Sequence, residues 1–136
     1  HCRDRMGELS SRVRLFSLGE VRRRNGGGEC LLIIDGMVLD VTRWLPQHPG
    51  GSTIIPEQAL NVDATRFFEL YHCTRESFLY LKELYVGELA PEDRRELPLP
   101  KQSRAQGSAE PSEEFLEQLN MHTPFRMNVQ ETWKSF

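Results

Sequence analysis

No stretch of the 136 residues approaches the ~20 consecutive apolar residues that cross a bilayer, so no transmembrane segment is expected. No apolar secretory core stands near the start. Charge of one sign is scarce: the formal net charge is −3, which gives no argument for nucleic-acid binding. The local cluster Arg22-Arg23-Arg24 is expected to be a solvated helix face. Cysteine is sparse as well. Cys2, Cys30 and Cys73 are odd in number and form no metal-ligand spacing, so a reduced, cytoplasmic compartment is the simpler expectation. A zinc site at Cys73 and its neighbour His72 would need two more ligands at suitable spacing, and none appears. Cys73 is therefore expected to be a half-buried free thiol. No phosphate-binding pattern follows Gly26-Gly27-Gly28. There is no serine-histidine-acid set and no pair of catalytic carboxylates, so catalysis of its own is not expected.

What remains is an ordinary globular composition, 38% hydrophobic and 27% charged. It is enough for one compact domain and a tail. A chain that begins at His1 without methionine is expected to be an excerpt of a longer one. Residues 1–14 are polar and basic and are expected to be poorly ordered. Residues 15–90 carry nearly all the regular apolar patterning. Residues 91–112 hold Pro91, Pro98, Pro100 and Pro111 among polar residues and read as a linker. In 113–136, Phe115, Leu116 and Leu119 stand at helical spacing behind Ser112. This predicts a short helix and an arm that dock on the domain or on a partner.

Within the central zone, Leu15-Phe16 reads as a strand, and Ser17 with Glu20 as a capping box opening a helix that the three glycines end. Leu31–Ile34 and Met37–Val41 are strands joined through the turn Asp35-Gly36. Thr42 is expected to cap a short helix, Arg43 to Gln47. A partial helix is expected over 54–60. Asp63 caps a helix from Ala64 to Tyr71, Ser77 opens a last one, and Tyr85–Leu89 closes the sheet. The class is α+β: a small mixed sheet, with two pairs of short helices gathered on one side of it.

His48-Pro49-Gly50-Gly51 and His72, 24 positions later, carry the chemistry. Two histidines so far apart cannot share one helical face. Each follows its own predicted helix, so they can face each other across a pocket. Pro49 stops the first helix, and Gly50 allows a tight turn. Neutral imidazole is a common iron ligand. Two axial imidazoles saturate haem iron, which suits gain and loss of one electron. Trp44, Leu45, Ile54, Ile55, Phe67, Phe68, Tyr71, Phe78 and Leu81 supply the apolar walls a haem plate needs. His1 and His122 have no supporting partners in sequence and are expected to be solvated.

The ordered set Asp40-Val41-Thr42, His48-Pro49-Gly50-Gly51, Asp63-Ala64-Thr65, Phe68 to His72 and Val86-Gly87-Glu88-Leu89 resembles the cytochrome b5 haem-binding family over about residues 14–90. Leu31 and Leu39 stand where that family commonly has aromatics, and the segment before Asp63 is one residue longer. The resemblance implies one non-covalent haem b with His48 and His72 as axial ligands. It also implies electron exchange with a flavin or metal redox partner, either a separate protein or another domain of a parent chain. The alternative is a partner-recognition module on the same fold. Glu57, Asp63 and Glu69 are offset by Arg43, Arg66 and Arg75, so a weakly signed docking field is expected.

Overall fold

The computed structural model describes residues 13–47, 59–71, 75–100, 110–127 and 129. The elements run β1 (Arg14–Phe16), α1 (Leu18–Gly26), β2 (Leu31–Ile34), β3 (Met37–Asp40), a single 3-10 turn (Leu45–Gln47), α2 (Thr65–Tyr71), α3 (Arg75–Leu84), β4 (Tyr85–Leu89), α4 (Pro91–Arg94) and α5 (Glu113–Met121). The sheet order is β1-β4-β3-β2, with β1 parallel to β4 and the other pairs antiparallel.

Local chemistry explains most of these boundaries. The Ser17 side chain accepts the Glu20 N–H at 3.0 Å, satisfying an orphan donor at the start of α1. The Glu20 carboxylate does not complete the box; it pairs with Arg14 instead. Asp35 and Gly36 both have positive φ (50° and 83°), the geometry of the tight hairpin joining β2 to β3. Gly87 is required by close approach: a Cβ there would lie 2.0 Å from the Arg14 carbonyl oxygen of the neighbouring strand.

Alternation puts apolar side chains on both sheet faces, and both are covered. Leu31, Ile33 and Val38 join Phe16, Leu18, Val21 and Leu89 in one core. Leu32, Ile34, Met37 and Leu39 join Leu45, Phe68, Phe78, Leu81, Phe115 and Leu119 in the other. The helices are therefore not all on one side, as the sequence pattern suggested: α1 seals the opposite face. Leu31 and Leu39, the two departures from aromatics, are fully buried in these cores.

Two helix starts differ from expectation. Thr42 caps no helix. Its hydroxyl donates to Asp40 Oδ1 at 2.6 Å and accepts the Cys30 N–H at 2.9 Å, so it braces the strands, and only the 3-10 turn at Leu45 follows. Arg75, not Ser77, opens α3. Arg75-Glu76 are good helix formers, and an earlier start leaves the register of Phe78 and Leu81 unchanged.

The segment after β4 lies partly on the domain. Pro98 accepts the Asp63 N–H at 2.8 Å, and Pro100 is buried. The chain then returns as α5, whose start is capped by Ser112.

Candidate functional site

The apolar face of the sheet that carries Leu32, Ile34, Met37 and Leu39 is where the candidate site is assembled. From the end of β3 the chain turns through Trp44 and Leu45. Leu45 is buried, and Trp44 packs partly buried against the same core. The 3-10 turn ends at Gln47, immediately before His48.

Two bonds tie the start of α2 to β2 and its turn, and a third is local to the helix start. Ala64 N–H donates to Ile33 O at 2.7 Å, Asp35 N–H donates to Thr65 Oγ1 at 2.6 Å, and Thr65 N–H donates to Asp63 Oδ1 at 3.1 Å. The Asp63 side chain thus caps α2 as expected. Asn25 donates to Asn61 Oδ1 at 2.9 Å and fixes the preceding turn, where Asn61 takes a positive φ of 64°. Anchored this way, α2 buries Phe68 and ends at Tyr71, immediately before His72. Beginning at Arg75, α3 buries Phe78 and Leu81. Phe68 and Phe78 meet edge to face, centroids 5.7 Å apart.

Leu45, Phe68, Phe78 and Leu81 thus converge in one core, with Trp44 and Phe67 against it. His48, Pro49, Gly50, Ile54, Ile55, His72 and the Tyr71 side chain lie outside the described residues. A haem plate needs apolar walls and two donor nitrogens. The converging aromatic and aliphatic side chains meet the first need. The second would fall to His48 and His72, which follow the described ends at Gln47 and Tyr71 in the sequence. The residues present fit the group.

The walls are less open than the sequence suggested, because α5 lies on them. Phe115 places its ring 6.0 Å from Phe68 and 5.7 Å from Phe78, and Leu119 is fully buried beside it. The His122 ring is not simply solvated, as its isolation in sequence implied. It stacks on Phe78 at 5.2 Å, and Nδ1 donates to the Gln118 carbonyl at 2.8 Å.

Beyond α5, Arg126 enters a buried acidic corner. It bonds Glu88 through Nε (3.0 Å) and Nη2 (2.5 Å), Asp35 Oδ2 through Nη1 (3.0 Å), and the Asp35 carbonyl through Nη2 (2.8 Å). Burial opposes its charge, but the hydrogen bonds and attraction of Glu88 and Asp35 prevail and hold the guanidinium above its ordinary value. Tyr85 donates to Glu88 at 2.6 Å and accepts the Met127 N–H at 2.9 Å. Its phenol is pushed up, first by burial and then by the Glu88 carboxylate it serves as donor. Phe115 and Leu119 had a sequence signal in their i, i+4 spacing. Arg126 had none: its partners are 38 and 91 positions away.

A separate cleft of about 570 Å³ opens between β1, the 3-10 turn and α3. Trp44 and Tyr80 share its lining with Arg14, Arg24, Asp40 and Glu83. Arg14 is engaged with Glu20, and Arg24 with Glu29 at 2.6 Å. This polar cleft is not the apolar slot a haem plate requires.

Of the surface acids expected to guide docking, two are used internally. Asp63 caps α2. Glu69 pairs with Arg66 at 2.5 Å and accepts the Ser112 hydroxyl at 2.6 Å. Among the described residues no helix is long and apolar enough to cross a membrane.

Comparison with known proteins agrees with the motif order. The family model described as cytochrome b5-like heme/steroid binding domain matches residues 17–90. Human cytochrome b5 type B is 41% identical over 86 residues, 63% of this chain and 57% of that protein. Bovine cytochrome b5 is 34% identical over 96 residues, 71% of each. An acyl-lipid (8-3)-desaturase of Physcomitrium patens is 36% identical over 88 residues, 62% of this chain but 17% of the enzyme. The chain thus spans little more than half the length of its type B relatives. A four-stranded mixed sheet, a helical pair closing on an apolar core, and a family match over residues 17–90, more than half of the chain, place it in the cytochrome b5-like haem/steroid-binding family.

Proposed function

We propose that His48 and His72 supply the two axial imidazoles of one haem b, held between the 3-10 turn and the α2–α3 pair, and that the domain carries single electrons. Haem b binding and electron transfer are the work of the cytochrome b5 domain to which residues 17–90 belong. When bound, the haem iron supplies the one-electron couple. The chain's own residues do the rest. Leu45, Phe68, Phe78 and Leu81 would supply apolar surface for the haem to be buried against, at roughly 25 cal/mol per Å². This reading also assigns Trp44, Pro49, Gly50, Ile54, Ile55 and Tyr71 to the site; of their side chains Trp44 is described, and it packs partly buried against the same core. Ala64 and Thr65 anchor the start of α2, the helix that precedes His72 in the sequence.

The observation that carries this reading is that the 3-10 turn ending at Gln47 and the helix ending at Tyr71 each contribute a buried side chain, Leu45 and Phe68, to one apolar core. With Asp63 and Glu69 occupied internally, the redox partner is a flavin or metal protein, or a parent-chain domain, that does not depend on a strongly acidic docking face. A cytosolic setting fits the unpaired Cys30 thiol, which burial pushes up to about 11 and keeps neutral. The match to a short part of a desaturase supports a role as a module of a larger redox protein.

An oxidised and a dithionite-reduced absorption spectrum test the proposal. The protein is expected to show a sharp low-spin Soret band that shifts on reduction. His48→Ala and His72→Ala should each abolish the six-coordinate spectrum. A variant that keeps it removes that residue from the ligand pair, and a preparation that stays colourless after haem addition points instead to a recognition module.

A further inference from the structure

We infer that the C-terminal segment 110–127 is a positioning clamp for the haem site: it locks α2 and α3 together and thereby holds the chain at His72 in place. This rests on the haem reading above, but the contacts that make the clamp do not depend on it.

The ring of Phe115 lies against Phe68 of α2 and Phe78 of α3 at once, so a single side chain bridges the two helices. Ser112, at the start of α5, donates its hydroxyl to Glu69 on α2. At the other end of α5, His122 stacks on Phe78 of α3. The segment is then bolted to the sheet by Arg126, which bonds Glu88 on β4 and Asp35 in the β2–β3 turn, and by Met127 N–H on Tyr85. Glu88 is 3% exposed, so loss of Arg126 would strand a buried carboxylate.

Only residues 72–74 join the end of α2 to the start of α3. Three residues reach at most about 10 Å, so they cannot absorb a large shift of either helix. Whatever fixes the two helices therefore fixes both points between which that connection runs. A packed contact that restrains both flanks of a ligand lowers the rate at which the ligand swings away from the metal.

Full-length Phe115→Ala is compared with Leu18→Ala, which removes a buried side chain from the core on the opposite sheet face. Both are reconstituted with haem, and haem loss to an excess of an apoprotein acceptor is followed at the Soret band. Loss from Phe115→Ala is expected to be faster by about tenfold, in the range of ordinary site-to-site coupling, with a high-spin fraction in the oxidised spectrum. Leu18→Ala should match wild type in both readouts. Equal acceleration in the two variants would reduce the clamp to general stability and overturn the inference, as would no change in Phe115→Ala.

Amide hydrogen exchange on haem-free protein gives the independent arm. Phe115→Ala should raise exchange in 65–71 and 75–84 and leave 18–26 unchanged; uniform protection across all three overturns the clamp. If the wild type binds no haem with two histidines, the haem reading falls while the exchange arm still decides the clamp.

Discussion

The two faces of the sheet are closed by different means. On one, Phe16, Leu31, Ile33, Val38 and Leu89 of the sheet are sealed by Leu18 and Val21 of α1, the helix that directly follows β1. On the other, Leu45, Phe68, Phe78 and Leu81 converge from separate elements and are finished by Phe115 and Leu119, which arrive after a long excursion of the chain. The first face needs only burial, and local pattern suffices. The second draws its side chains from several short elements, and a distant segment completes it. Polar groups follow the same division. The first face has half-buried pairs at its rim, such as Arg24 with Glu29. The second has a buried guanidinium-carboxylate corner at Arg126 and Glu88.

The largest expected effect tests whether the faces differ in function as well as construction. Phe16→Ala and Phe78→Ala each remove a buried ring and should each cost about 3–5 kcal/mol in urea unfolding. Only Phe78→Ala should also weaken haem binding in titrations of the haem-free protein. Equal loss of haem affinity in the two variants would erase the distinction.

The buried corner gives a somewhat smaller effect. Arg126→Ala leaves Glu88 buried against Tyr85 alone and should cost about 3 kcal/mol. The double variant Arg126→Met with Glu88→Leu should recover most of that loss, because the apolar pair removes the stranded charge. A double variant no more stable than Arg126→Ala would mean that the corner acts through shape rather than charge.

The smallest effect sharpens the join between α5 and α2. Burial pushes the Glu69 carboxyl up, but the hydrogen bonds from Ser112 and Arg66 outweigh it and leave it below the usual carboxylate range. A carboxylate depressed by folding stabilises the protein above its unfolded pKa, about 4.3, and that contribution is lost as pH falls through the lower, folded value. Glu69→Gln should therefore be less stable than wild type at neutral pH, by under about 1 kcal/mol for so accessible a contact. The two should converge in strong acid. Urea unfolding at neutral and strongly acid pH reads the difference, and a gap that persists in acid would assign it to something other than the charge.

Much of the site's frame was legible because it depends on short-range chemistry. Asp35-Gly36 can turn only one way, Asp63 lies two residues before the amide it caps, and the spacing of Phe78 and Leu81 marks a helix face wherever the helix begins. The misreadings share a cause. Thr42 looks like a helix cap until the Cys30 amide, on the other strand, is seen to donate to its hydroxyl. His122 looks solvated until Phe78 is brought under it. The polar, proline-rich composition of 91–112 says nothing of Asp63 N–H, which reaches the Pro98 carbonyl.

By itself the sequence determined the strands, the caps at Ser17, Asp63 and Ser112, the family and the choice of His48 and His72 as candidate ligands, because each is written in neighbouring residues or in motif order. Tertiary structure alone decided that α1 closes one face of the sheet while α5 covers the other. It also decided that Arg126 neutralises Glu88. The physical reason is that burial and charge compensation act between side chains close in space, and a chain of polar residues connecting them carries no record of where it returns.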